Sequence, residues 1–111
     1  MERQIFFTEK PRPMDWGDKK IVPLNINEEV YTEDGKEKKG YRADLVKKVD
    51  EPLTVDSIVA AAVSEEFGEE AQKRIMLNFA KQGNIEVEKY KTFVAEVTKA
   101  ATDAGYKEGV N

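Results

Sequence analysis

The chain has 111 residues, enough for one domain with a single modest core, and carries 18 Lys and Arg against 22 Asp and Glu, a formal net charge of −4. It contains no cysteine and no histidine, which excludes disulfide frameworks, thiolate nucleophiles and structural zinc sites, and removes the commonest general base and metal ligand. Residues 1–50 balance at 11 basic against 11 acidic side chains and residues 51–111 carry 7 against 11. The acidic half repels phosphate backbones, so nucleic acid is not an expected partner.

At 40% hydrophobic and 36% charged residues, either the core is thin or a partner completes some apolar surface. The opening "MERQIFFTEKPRP" groups only three apolar residues, too few for the apolar region of a signal peptide. No run approaches the roughly 20 apolar residues that a membrane span needs. A cytoplasmic protein with no membrane partner is expected.

Residues 1–19 read as an arm. "IFFT" is β-prone and predicts at most a short edge strand, while Pro11, Pro13 and Gly17 disfavour regular structure across "EKPRPMDWGDKK". Trp16 in this arm is expected either to pack as a plug or to anchor a partner.

Residues 20–50 predict a long β-hairpin. Val22, Leu24 and Ile26 alternate with Asn25 and Asn27, and Pro23 lacks the amide of a central strand. Glu28 falls on the apolar count, which a bulge at Glu28–Glu29 would reconcile. Asp34-Gly35 is a turn dipeptide, and the return strand sets Tyr41, Ala43 and Leu45 against Arg42 and Asp44. An isolated hairpin is marginal in water, so the following helices are its expected support.

Residues 53–105 predict three helices. Pro52 ends the strand, Thr54 or Asp56 can cap the first helix, and Val55, Ile58, Val59, Ala62 and Val63 form one stripe. Gly68 is expected to close that helix in a left-handed conformation. The second helix is expected to bury Ala71, Ile75, Met76 and Phe79 and to end at Gly83. Asn84 caps the third, whose stripe is Ile85, Tyr90, Phe93, Val94, Val97, Ala101 and Ala104. Gly105 ends it, leaving residues 106–111 as a frayed tail. The expected fold is α+β, a hairpin packed on a three-helix unit within a single domain 1–111.

Chemistry is sparse. There is no GxxxxGK[ST], GxGxxG or GxSxG motif, and the two serines, Ser57 and Ser64, have no histidine to activate them. The carboxylates of "SEEFGEE" are split by Gly68, which places Glu69 and Glu70 in a helix first turn, where they complement the dipole. The same two acids stand where a DNA-recognition helix would need basic or amide side chains. "TEDGKE" lacks the spaced ligands of a calcium loop, and "KEKKGYR" reads as a solvated turn. No catalytic, cofactor-binding or metal-binding residue is assigned, no cofactor is expected, and no small-molecule substrate is evident.

The order of pieces "GYRADLVKKV", "PLTVDSIVAAAVSEEF", "RIMLNF" and "EKYKTFVAEVTKAA" resembles a class of small proteins encoded in phage and prophage structural-gene clusters of gut bacteria. The likeness spans roughly residues 20–104 and omits the Pro-rich segment 8–17. It implies a virion- or tail-assembly-associated role in a bacterial host and carries over no functional residues. The expected function is thus a non-enzymatic interaction protein that binds a protein partner or itself. Its expected contact residues are Phe6, Phe7 and Trp16 of the arm with Tyr31, Tyr41 and Arg42 of the hairpin. The alternative is an acidic regulator that occupies a basic cleft on a host enzyme.

Overall fold

The computed structural model describes residues 1–109. Four strands, β1 (Glu2–Phe7), β2 (Met14–Trp16), β3 (Lys19–Glu33) and β4 (Lys36–Val49), precede three helices, α1 (Val55–Glu66), α2 (Glu69–Asn78) and α3 (Ile85–Asp103). The strands form one antiparallel sheet in the order β1-β4-β3-β2. The hairpin is therefore present, but as the centre of a four-stranded sheet. The arm supplies both edge strands: β1 takes in most of the expected edge strand at "IFFT", and β2 forms within the segment expected to be irregular.

That order makes residues 8–13 cross from one edge of the sheet to the other. Pro11 is buried, and Pro11 and Pro13 line a cleft with Pro23 and Ile26. Prolines suit this link because it needs an extended backbone and no ladder hydrogen bonds. Pro23, Ala43 and Leu45, on the sheet face away from the helices, are buried.

On the other face Val22, Leu24, Val46 and Val49 pack against Val55, Ile58, Ala62 and Val63 of α1 and Phe93, Val97 and Ala101 of α3. The period changes from 2 to 3.6 at Pro52 because each layer covers the apolar face of the other. Every fully buried aliphatic side chain here contributes on the order of 1.5–3 kcal/mol. Thr54 caps α1 in a reciprocal box with Ser57, and Asn84 caps α3 through the Val87 amide.

Three bulges set the phase of the sheet. They lie between Glu2 and Ile5 of β1, between Leu24 and Asn27 of β3, and in β4 opposite Lys20–Val22. Gln4, Asn25 and Lys48 there adopt positive φ of 55°, 53° and 59°. The expected bulge at Glu28–Glu29 is not formed, since both residues pair regularly with Tyr41 and Gly40. The irregularity falls at Asn25 and Ile26, because Asn tolerates the left-handed region. Ile26 consequently leaves the row of Val22 and Leu24, and Asn27, Glu29 and Tyr31 continue it.

Asp44 fixes two of these bulges. It is buried, and its carboxylate accepts from the Gln4 amide at 2.9 Å on one side and from Asn25 Nδ2 at 2.9 Å on the other. One side chain on β4 thus holds both neighbouring strands where their ladders break.

Other expectations are corrected. Gly68 has φ −67° and stands as the N-cap of α2, so α1 ends at Phe67 without a left-handed residue. The second helix buries only Ile75; Met76 and Phe79 are exposed, as are Ile85 and Ala104 of the third stripe. α2 packs chiefly on α3, so a single row suffices to dock it. The tail is not frayed as far as residue 108: the carbonyls of Lys107 and Glu108 accept from the Val55 and Asp56 amides at 2.7 and 2.9 Å. Burial raises the Tyr106 phenol above its ordinary pKa. Residues 110–111 of the expected tail lie outside the described residues.

Asp44→Ala removes both acceptors and leaves the Gln4 amide unsatisfied, so a loss of about 2–3 kcal/mol is expected in urea unfolding. Asp44→Asn should lose clearly less, since its oxygen still accepts from Gln4 and the Asn25 amide can turn to meet its NH2.

Candidate interaction surface

Six side chains were singled out from the sequence, and the sheet distributes them over three places. Phe6, Tyr31 and Arg42 come together on the helix-side face, beyond the helices. Phe6 pairs with Arg42 across β1–β4, its ring meets Tyr31 edge-on at 5.3 Å, and the Arg42 guanidinium lies 5.3 Å from its centroid. Gly40 provides the room. A Cβ there would stand 2.5 Å from Phe6 Cε2 and 3.1 Å from Tyr31 Cδ1. Arg42 also bonds both Glu29 carboxylate oxygens through Nε, at 3.1 and 3.3 Å, and the Gln4 carbonyl through Nη1 at 3.1 Å.

These three residues hold β1 on the ribbon, so their first role is internal. Phe7 and Tyr41 pair with each other on the opposite face, each half-buried. Trp16 lies elsewhere. It is 45% exposed, has Lys47 Nζ 5.6 Å from its ring, and walls a cleft of about 500 Å³ floored by Ala60, Ala61 and Ser64 of α1.

Beyond Ile26, which still lines a cleft with Ala100 and Asp103 of α3, the β3–β4 ribbon leaves the helices behind. Its charges pair across the strands, Glu28 with Lys39 at 3.3 Å, Glu29 with Arg42 at 3.1 Å and Glu33 with Lys38 at 3.4 Å. Such exposed pairs are each worth about 0–1 kcal/mol and fix register more than stability. β1 covers β4 only over Tyr41–Leu45, and β2 covers β3 only over Lys19–Ile21. The distal ribbon therefore has bare edges.

Sequence reasoning missed a further surface. Met76, Leu77 and Ile85 at the α2–α3 corner are 78%, 82% and 73% exposed. Its only signal was that "RIML" sets three apolar residues side by side, more than one helical row can bury.

Several ionisable groups pair internally. Glu65 and Glu66 approach the Met1 amino group at 2.7 and 3.8 Å, and Glu70 approaches Lys73. Among the described residues no cluster of three or more acidic side chains has a geometry that could hold a metal ion. Lys19, Lys20 and Arg74 sit above their ordinary pKa values through hydrogen bonds to Asp50, Asp15 and Glu86. A lysine nucleophile needs the opposite shift. Among the described residues no helix is long and apolar enough to cross a membrane. Compared with protein-family models, curated proteins and solved structures, the chain matches none.

Gly40→Ala should expel the Phe6 ring at a loss of about 1 kcal/mol, the scale of an aromatic pair. Phe6→Ala removes the same contacts. The two changes should therefore be strongly non-additive in a double-mutant cycle read by urea unfolding; full additivity would mean that Gly40 serves something other than Phe6.

Proposed function

We propose that this chain is a non-enzymatic interaction module whose distal β3–β4 ribbon and adjoining arm engage a partner protein. The observation that carries this reading is the ribbon itself, which projects past the helical layer with bare edges. Half of each long strand contributes nothing to the helix-covered core. A stretch of sheet that the fold does not need for its own interior is suited to contact something else. The exposed Trp16 adds an anchor of the kind enriched at binding hot spots.

The virion- or tail-assembly setting in a bacterial host rests on the sequence resemblance alone. An acidic regulator seated in a basic cleft stays the weaker reading, because Glu65 and Glu66 are engaged by the Met1 amino group and Glu70 by Lys73.

The test is affinity capture in the native host, combined with light scattering of the purified protein. The full chain is compared with a variant in which residues 27–41 are replaced by a two-residue turn. Loss of a specific complex in the shortened chain is the expected result. A chain that forms no complex, or one whose complex survives the deletion, contradicts the reading.

A further inference from the structure

The ribbon turn determines which backbone groups face outward. Asp34 and Gly35 have φ of 53° and 76°, both positive, as a two-residue type I′ turn requires. Such a turn closes on a hydrogen-bonded pair, here Glu33 with Lys36. Hydrogen-bonded and non-bonded pairs then alternate down the regular register to Asn27–Arg42. Asn27, Glu29, Tyr31 and Glu33 point their N–H and C=O groups at β4. Glu28, Val30 and Thr32 point theirs away from it, and among the described residues no strand and no loop backbone group receives them.

Two edges of the ribbon are bare, and they differ. The β4 edge over Lys36–Gly40 carries Lys36, Lys38 and Lys39, the usual guard against strand addition. The β3 edge over residues 27–33 is longer and has no lysine and no proline. It presents Val30, 64% exposed, between Glu28 and Thr32. Its charged side chains are Glu28, Glu29 and Glu33, all acidic. The strand that β3 already accepts on its other side shows what satisfies them: β4 answers with Lys39, Arg42 and Lys38.

We propose that the open edge of β3, residues 27–33, takes up an extended, lysine- or arginine-bearing segment of a partner protein as an added strand. Outward groups of Glu28, Val30 and Thr32 form the ladder, the glutamates select basic side chains, and Val30 receives an apolar one. A second copy paired β3 to β3 is a poorer occupant, because it brings the same acidic residues and no cation, and a copy adding through its lysine-bearing β4 edge would show as a dimer of the chain alone.

This inference rests on the interaction reading but has its own test. The probe is a synthetic peptide alternating lysine with valine and threonine, titrated into the full-length protein with NMR observation of backbone amides. Binding should perturb Glu28, Val30 and Thr32 most and weaken at least tenfold between 50 and 300 mM salt, on the order expected when several charge pairs are screened. Val30→Pro deletes one outward N–H and leaves every β3–β4 bond in place, so it should abolish binding with the amide spectrum of the core unchanged. Glu28→Lys, a second variant that needs no backbone change, should weaken binding at least fivefold.

Failure of the peptide to bind, equal binding of a glutamate-containing counterpart, or undiminished binding by both variants overturns the proposal. A dimer of the chain alone that Val30→Pro dissolves also overturns it, in favour of self-association. If deletion of residues 27–41 removes a native partner while Val30→Pro keeps it, the edge proposal falls and the interaction reading stands.

Discussion

The carboxylate of Asp44 is the contact on which the sheet geometry depends. It lies on an inner strand, is only 4% exposed, and accepts hydrogen bonds from both neighbouring strands at positions with left-handed backbone. A buried amide left without an acceptor costs about 1–3 kcal/mol, and positive φ in a non-glycine residue adds strain of similar order. The carboxylate gives the Gln4 backbone amide its acceptor on one side and ties down the Asn25 side chain on the other. The bulges it holds are what put Phe6 over Gly40 and what bring Glu29 and Tyr31 into the row begun by Val22 and Leu24.

That arrangement divides the sheet into two regions with different physics. Near the helices, burial of Val22, Val46 and Val49 against α1 and α3 provides the stability. In the distal ribbon no helix helps, and a two-stranded ribbon alone is marginal in water. It persists there because it continues a covered sheet, because its turn has the right handedness, and because β1 lies beside it through Phe6 and Arg42. Helical cover on one end, with none on the other, gives the molecule its length of 56 Å against 32 and 23 Å in the other directions.

Much of this was legible in the sequence. The α+β class, the turn at Asp34-Gly35, the caps at Thr54 and Asn84, and the α1 stripe follow from local chemistry that acts within a few residues. Most of what was not legible depended on pairing at long separation. In β3 the broken alternation announces a bulge but misplaces it at Glu28–Glu29 instead of Asn25–Ile26. Nothing in the local sequence of Gln4 or Lys48 announces theirs, because Asp44 or the ladder compensates for their glycine-like conformations. The β-prone "IFFT" pointed to an edge strand at β1, but its partner, β4, lies far along the chain, with Phe7 pairing to Tyr41. β2 was hidden because residues 8–17 read as irregular, although it pairs with the adjacent Lys19–Ile21. Apolar spacing overstates burial in α2, where Ile75 is buried while Met76, Leu77 and, at its C-cap, Phe79 are exposed. The six candidate contact residues were real surface or near-surface groups. Their grouping was unreadable, since the register that joins Phe6 to Arg42 and separates both from Phe7 exists only in three dimensions.

Residue-resolved amide hydrogen exchange of the unmodified protein probes the clamp and the open edge together. The Gln4 amide should exchange as slowly as the amides of the β3–β4 core, and along the distal ribbon Asn27, Glu29, Tyr31 and Glu33 should be protected while Glu28, Val30 and Thr32 exchange freely. Rapid exchange at Gln4, or uniform behaviour along residues 27–33, would contradict a sheet pinned at Asp44 with one free edge on β3.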